Sequence, residues 1–343
     1  MTFDIFEAPY ERNNAMYQQK ILKNLKAKAL NFIDIGVGCN ALVSFKTLGL
    51  LDFLLKGNSI DYRMLKNSSF CSNFPLARAA LITLVKIKVL EEKFGKYQLT
   101  NLGYELCNYI GLITMFFDGY GPLIINQSKI AINKISFSHK YLRGDVIAAS
   151  SIQFGKNTLD PLIKDIFSSF SIRGTFCDLG CGMGTKLAWI SKLTGNPGLG
   201  FENCKKTVKI ISKKFKKNKK LSFEHQDVTN LIGIWEDVTV LMQYFVFHDF
   251  TPTQKCAALI NSYLKNFPYL RYFIYVDIVA PSSSQDEIMP GFEYVHGLQG
   301  IETRTYEETM ELFQMSKFEM INENKIPDMP NTFLWILKPN NSR

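Results

Sequence analysis

Apolar residues recur every three to four positions from Leu30 to Leu55, and the run closes at Lys56-Gly57. That period predicts an amphipathic helix stopped by a glycine. Shorter helices are expected over 62–66 and 74–89, and the stretch from Val89 to Thr100 reads as a hairpin turning near Gly95. Helices followed by a hairpin make a winged helix, an arrangement used for DNA binding or for pairing chains. Gly144-Asp145 and Gly155-Lys156-Asn157 then punctuate the chain ahead of an amphipathic helix over 160–170. Beyond that point the pattern changes. Short apolar runs at 174–179, 198–201, 221–228 and 238–243 alternate with helical segments, as in α/β domains with a parallel sheet. The expected organisation is a winged-helix-like domain at 1–110, a helical linker at 111–155 and a Rossmann-like domain at 156–343.

Composition narrows the class. The apolar fraction of 46% supplies ample core, and 21% charged residues argue against disorder. No apolar run reaches the roughly 18 residues that span a bilayer, and Met1-Thr2-Phe3-Asp4 lacks a basic-then-apolar leader. The seven scattered cysteines predict reduced thiols in a cytoplasmic protein. Cys177 and Cys181 have no second pair with which to hold zinc. Much of the net charge of +9 lies in the lysine-rich run 205–220, where Val208, Ile211 and Phe215 keep helical spacing. Without interleaved aromatic residues that run reads as a solvated helix face rather than a nucleic-acid surface. The would-be recognition helix, 75–85, is largely apolar, with Arg78 its one strongly basic residue. A groove-reading helix needs several polar or basic side chains, so no nucleic-acid partner is expected.

The segment Phe176-Cys177-Asp178-Leu179-Gly180-Cys181-Gly182-Met183-Gly184-Thr185-Lys186 carries most of the functional signal. A strand, a glycine loop and a helix in that order build a nucleotide-type site at the carboxyl edge of a parallel sheet. The spacing Asp-x-Gly-x-Gly-x-Gly differs from both the dinucleotide and the phosphate-loop fingerprints. It suits a ligand without phosphate that carries a cationic centre, for which Asp178 at the strand end is placed. Glu202 ends the next strand, 24 residues after Asp178, where an acid accepts both hydroxyls of a ribose. Asp227 follows the third strand. After the fourth strand comes Gln243-Tyr244-Phe245-Val246-Phe247-His248-Asp249-Phe250, and further on Phe292-Glu293-Tyr294-Val295-His296 leads to Glu302-Thr303-Arg304-Thr305. A histidine with a pKa near 6.5 is the best available base for a phenol or enol proton. Two histidines facing one pocket are also a candidate metal site.

The glycine loop resembles motif I of class I S-adenosylmethionine (SAM)-dependent methyltransferases. Over nearly its whole length the chain resembles the small-molecule O-methyltransferases. The resemblance implies an α/β fold: a mostly parallel seven-stranded Rossmann-like sheet, preceded by a mainly helical winged-helix domain that forms a homodimer. It implies SAM bound by Asp178, Gly180, Gly182, Gly184, Glu202, Asp227, Val228 and Gln243. It implies a small-molecule acceptor beside His248, with Asp249 orienting that histidine or capping the helix that follows, and Glu293 or Glu302 as a candidate acid. The chain also resembles the 2-oxo-acid C-methyltransferases, through Gly119-Tyr120-Gly121 and the segment from Arg143 to Ser151. In that branch His248 and His296 would hold a non-haem iron or another divalent metal, and Arg143 the substrate carboxylate. Oxygen and carbon methylation both stay open on the sequence, with carbon slightly favoured. An inactive ligand-binding or DNA-binding regulator is the reading from another class.

Overall fold

The computed structural model describes residues 9–67, 73–169, 173–283 and 286–340. The chain divides into two compact units, Met1–Phe117 and Asp118–Arg343.

In the first unit, α1 (Pro9–Thr47) and α2 (Leu50–Leu55) replace the single helix expected over 30–55. The periodicity runs through the break, but Gly49 adopts a left-handed φ of 72° that no helix interior accepts. After α3 (Tyr62–Asn67), α4 (Phe74–Lys86) starts at Asn73, whose side chain accepts the Leu76 amide. Its apolar face (Ala77, Ala80, Leu81, Leu84) packs into one core with Leu42 and Phe45 of α1. The expected hairpin is β1 (Leu90–Lys93) with β2 (Lys96–Leu99), and Ile60 makes an isolated antiparallel bridge to Tyr97. Two helices, α5 (Asn101–Asn108) and α6 (Ile110–Thr114), follow. Leu30, Phe32, Ile33, Ile35 and Val37 of α1 are exposed within this unit.

The second unit begins with α7 (Gly121–Ile125) and α8 (Gln127–Ala131), then α9 (Gly144–Ser169). α9 runs unbroken through 155/156, where the sequence reading placed a domain limit. The glycine at 155 sits within the helix, and Leu159 and Ile163 bury its apolar side. The sheet comprises β3 (Thr175–Leu179), β4 (Gly198–Glu202), β5 (Leu221–His225), β6 (Val238–Tyr244), β7 (Tyr272–Ile278), β8 (Phe318–Lys325) and β9 (Thr332–Pro339). Its order is β5-β4-β3-β6-β7-β9-β8, with β3 to β7 parallel and β9 antiparallel to both β7 and β8. This is the mostly parallel seven-stranded sheet that the resemblance implies. Every residue of β3 is buried, as a central strand covered on both faces requires. Five further helices complete the unit: α10 (Thr185–Thr194), α11 (Lys205–Lys214), α12 (Thr253–Asn266), α13 (Phe292–Gln299) and α14 (Tyr306–Met315). On α11 the lysines are exposed and Ile211 is buried, which makes the lysine-rich run a solvated face. No helix among the described residues is long and apolar enough to cross a membrane.

The strand order reverses between β3 and β6. β4 and β5 extend to one side, β6 and β7 to the other. The helices that follow β3 and β6 therefore leave a crevice at the carboxyl ends of these two strands, where open α/β sheets bind ligands.

Candidate functional site

The loop after β3 turns on glycines in the left-handed region. Gly180 has φ 78°, and a Cβ there would lie 3.0 Å from Val246. Gly184 has φ 67°, and its Cβ would meet the Phe223 ring at 2.6 Å. The amides of Gly180 and Cys181 donate to the Phe201 carbonyl at 3.0 and 2.8 Å, which ties the loop to β4. Glu202 finishes the connection: its carboxylate accepts from Gly182 N at 3.2 Å and from Cys204 N at 2.8 Å.

Between this loop, α9 and the end of β6 lies a cavity of about 270 Å³. Asp178, Gly180, Gly182 and Glu202 line it, four of the residues expected to hold the donor. Cys181, Met183, Lys186, Tyr244, Phe245, Val246 and the inner face of α9 complete the wall, and of these the sequence reading drew only on the α9 segment that ends at Ser151. Phe245 was the least accessible to sequence, since it holds φ 58°, unusual for a bulky residue. The other expected donor residues do not line the cavity. Gly184 caps α10. Exposed Asp227 closes a turn by accepting from the Thr229 amide and hydroxyl at 2.9 and 2.7 Å. Val228 is buried, its carbonyl receiving the Tyr263 hydroxyl at 2.8 Å. The Gln243 amide braces the end of β6, donating to Val276 O and accepting from Val246 N, both at 3.1 Å.

Burial pushes the Asp178 carboxyl up to about 7. The positive charge of Lys186 opposes that shift and the negative charge of Glu202 adds to it. A cation entering the cavity would restore the ionised form.

A second cluster sits just past β6. Phe247–Asp249 forms a 3-10 turn carrying His248 and Asp249, and α13 presents His296. One ligand atom from each of these three lies within 4.8 Å of the others, the one such convergence found among the described residues. Asp249 Oδ1 stands 3.5 Å from His248 Nε2 and 3.8 Å from His296 Nε2, too far for hydrogen bonds. The other ring nitrogens are committed. His248 Nδ1 is 2.5 Å from Asp277 Oδ1, and His296 Nδ1 is 2.7 Å from the Phe292 carbonyl. Both acceptors require a proton on Nδ1, so in each neutral ring Nε2 is the nitrogen left with a lone pair, and both Nε2 atoms lie on the Asp249 side. Burial alone would lower His248, but the carboxylates of Asp277 and Asp249 outweigh it and leave the ring above its ordinary value. His296 is pushed down to about 4 by burial and by the neighbouring His248.

Asp277, near the end of β7, is the site residue that sequence reasoning missed. Its signal was an acid inside the apolar run Tyr272–Ile278. Arg304 lies between α13 and α14. It is buried, and donates to Phe247 O at 2.5 Å and Phe250 O at 2.7 Å, which fixes the turn carrying His248. Glu293 accepts from the Thr303 hydroxyl at 2.6 Å and Glu302 is exposed, so neither joins the cluster. Arg143 is half-exposed and paired with Asp118, and its amide donates to Gly119 O at 3.0 Å. That bond brings together the two segments, 119–121 and 143–151, on which the second resemblance rests. Tyr120 reaches the cluster electrostatically: burial and the charge of Asp249 both push its phenol up.

No family model matches the chain. It is 28% identical over 308 residues to indolepyruvate C-methyltransferase from Streptomyces griseus, covering 88% of this chain and 92% of that protein. The crystal structure of LaPhzM superposes with a TM-score of 0.70 at 16% identity, covering 92% of this chain and 99% of that one. The S-adenosylhomocysteine-bound form of CalO1, a methyltransferase in calicheamicin biosynthesis, superposes with a TM-score of 0.62 at 16% identity, covering 92% and 98%. These structures share the fold of the chain.

Proposed function

We propose that this chain is a SAM-dependent methyltransferase that methylates carbon 3 of a 2-oxo acid. The observation that carries the reading is the convergence of His248, Asp249 and His296 beside a cleft built from Asp178, Gly180, Gly182 and Glu202. Indolepyruvate, the substrate named for the Streptomyces relative, is itself a 2-oxo acid.

The acceptor first gives up its C3 proton to solvent; methyl transfer is then an in-line displacement in which the electron pair on that carbon takes the methyl group and the sulfonium leaves as a thioether. The protein contributes mainly alignment and exposure of the nucleophile. Asp178 faces the cationic end of the donor, and Glu202 exchanges its bonds to Gly182 and Cys204 for the ribose hydroxyls. The donor set of two imidazoles and one carboxylate fits a divalent transition metal such as iron, because both Nε2 atoms and Asp249 Oδ1 are free of hydrogen bonds to one another. Such a metal, held by His248, Asp249 and His296, would polarise the oxo group and acidify the C3 proton. Asp277 and the Phe292 carbonyl hold the two rings in the tautomer that ligation needs. Arg143, released from Asp118, offers a planar fork to the acceptor carboxylate. Phe292, with its ring 4.1 Å from His296 and 5.1 Å from His248, keeps the cluster apolar on one side.

The His248–Asp277 pair supports a second reading. An imidazole oriented by a buried carboxylate is also a general base, and His248 would then deprotonate a phenol or enol for O-methylation without metal. Incubation with SAM and a panel of 2-oxo acids and phenols, with NMR of the product, separates the two. A 3-methyl-2-oxo acid, lost on chelation and restored by ferrous iron, is the expected result. A methyl ether formed at full rate in chelator would overturn the carbon reading. The exposed apolar residues of α1 support a homodimer through the N-terminal unit, and the cysteines a cytoplasmic setting.

A further inference from the structure

Three charged side chains line the donor cleft, and two of them are the acids Asp178 and Glu202. SAM carries an α-carboxylate as well as its amine, sulfonium and ribose, and neither acid can receive it. Lys186 is the single cation among the described residues lining the cleft. It stands on the first turn of α10, with a side chain only 13% exposed. Its ammonium pairs with Asp160 of α9 and lies 5.6 Å from the centre of the Trp189 ring and 5.9 Å from that of Tyr244, itself a wall residue. α10 has no side-chain cap, because its N-cap is Gly184. The hydroxyl of Thr185, adjacent to Lys186, is buried without a hydrogen-bond partner. The first turn of α10 thus offers the cleft an ammonium and uncapped amides, both suited to an anion.

We propose that Lys186 anchors the α-carboxylate of the methyl donor, with Asp160 holding the ammonium in place until the donor arrives. The proposal rests on reading this cleft as the SAM site. An ammonium has three N–H donors, so Lys186 keeps Asp160 on one while it turns another toward the donor. The two rings confine its stem, which lowers the entropy lost on binding. An acid partner also competes with the incoming carboxylate, so Asp160 tunes the affinity.

Calorimetric titration of the full-length protein tests this with two ligands: S-adenosylhomocysteine, and its decarboxylated analogue, which keeps the amine and the thioether. Lys186→Met is expected to weaken the first by about tenfold to a hundredfold, the range for a lost hydrogen bond to a charged group, and to leave the second within about twofold. Lys186→Arg should retain most of the discrimination, and Asp160→Asn should strengthen the first ligand alone. These two variants also serve if Lys186→Met fails to fold. Equal weakening of both ligands, or of neither, overturns the proposal. So does unchanged S-adenosylhomocysteine affinity with a raised KM for the oxo acid, which would give Lys186 to the acceptor. Wild-type protein that binds neither ligand nor SAM would bring down the donor reading of the cleft itself.

Discussion

Replacing Asp277 tests whether His248 works through its orientation. Asp277 Oδ1 accepts from both His248 Nδ1, at 2.5 Å, and the Ile278 amide, at 3.0 Å, while its Oδ2 is buried with no partner. In Asp277→Asn the amide oxygen keeps the two-donor position, since an NH2 group there would face two N–H groups. The tautomer of His248 is therefore preserved; the charge is lost, and the NH2 takes the buried position of Oδ2, where it too lacks a partner. A charge-assisted hydrogen bond contributes about 1.5–3 kcal/mol and a neutral one about 0.5–1.5, so the loss is about 1–1.5 kcal/mol, close to tenfold. Asp277→Ala removes the acceptor altogether, leaves a buried N–H unpaired and frees the ring to flip, for a loss of about a hundredfold. Steady-state kcat/KM with SAM and a 2-oxo acid, with metal content and a thermal melt on the same preparations, reads both effects. The Asn variant should also shift the limb of the pH profile that reports His248 to lower pH, because the carboxylate that raised it is gone. Folded variants that match wild-type activity, or an Ala variant more active than the Asn variant, would refute the orienting role.

Two further expectations concern the donor end. The pKa of Asp178, pushed up to about 7, lies above its ordinary 3.8, so protonation stabilises the ligand-free fold in full below 3.8 and that contribution is lost as pH rises through about 7. SAM favours the ionised carboxylate, so its affinity should weaken as pH falls below about 7; Asp178→Asn should flatten both trends in melts and titrations, and an unchanged pH dependence in that variant would assign them elsewhere. Gly184→Ala forces a side chain into a left-handed position against Phe223 and should cost about 2–4 kcal/mol in denaturant unfolding, with a change under about 0.5 arguing that the loop shifts freely.

The sheet and its glycine loop were legible because their signals are local. Apolar runs, left-handed turns and an acid at a strand end are all spelled out within a few residues, as at 174–186. The helix ends were less so. Gly49 and Gly155 look alike in sequence, yet one ends a helix and the other lies within one, because only tertiary burial around Leu159 and Ile163 tells them apart. His248, Asp249 and His296 were each visible, but that Asp249 completes a set of three converging donors depends on how the turn after β6 meets α13. Asp277 and Lys186 stayed hidden for the same reason. Their partners are 29 and 26 residues away along the chain, and no periodicity records such a pairing.

The unbroken course of α9 joins the wall of the cleft to the segment at Arg143 in one rigid element. From Gly144, next to Arg143, to Asp160, beside Lys186, the helix is a rod of about 24 Å at 1.5 Å per residue. Ile147, Ala148, Ser151 and Ile152 wall the cavity along its length. With the donor held at the Asp160 end and the acceptor at the Arg143 end, as proposed, a shift of either end of the helix would reach the other. Binding free energies are reciprocal, so whatever factor one ligand imposes on the affinity of the other would be returned in full. Initial-rate patterns with such coupling are those of random addition in which each substrate changes the apparent KM of the other. A break in the middle of the rod, such as Ser151→Pro, should remove that mutual effect.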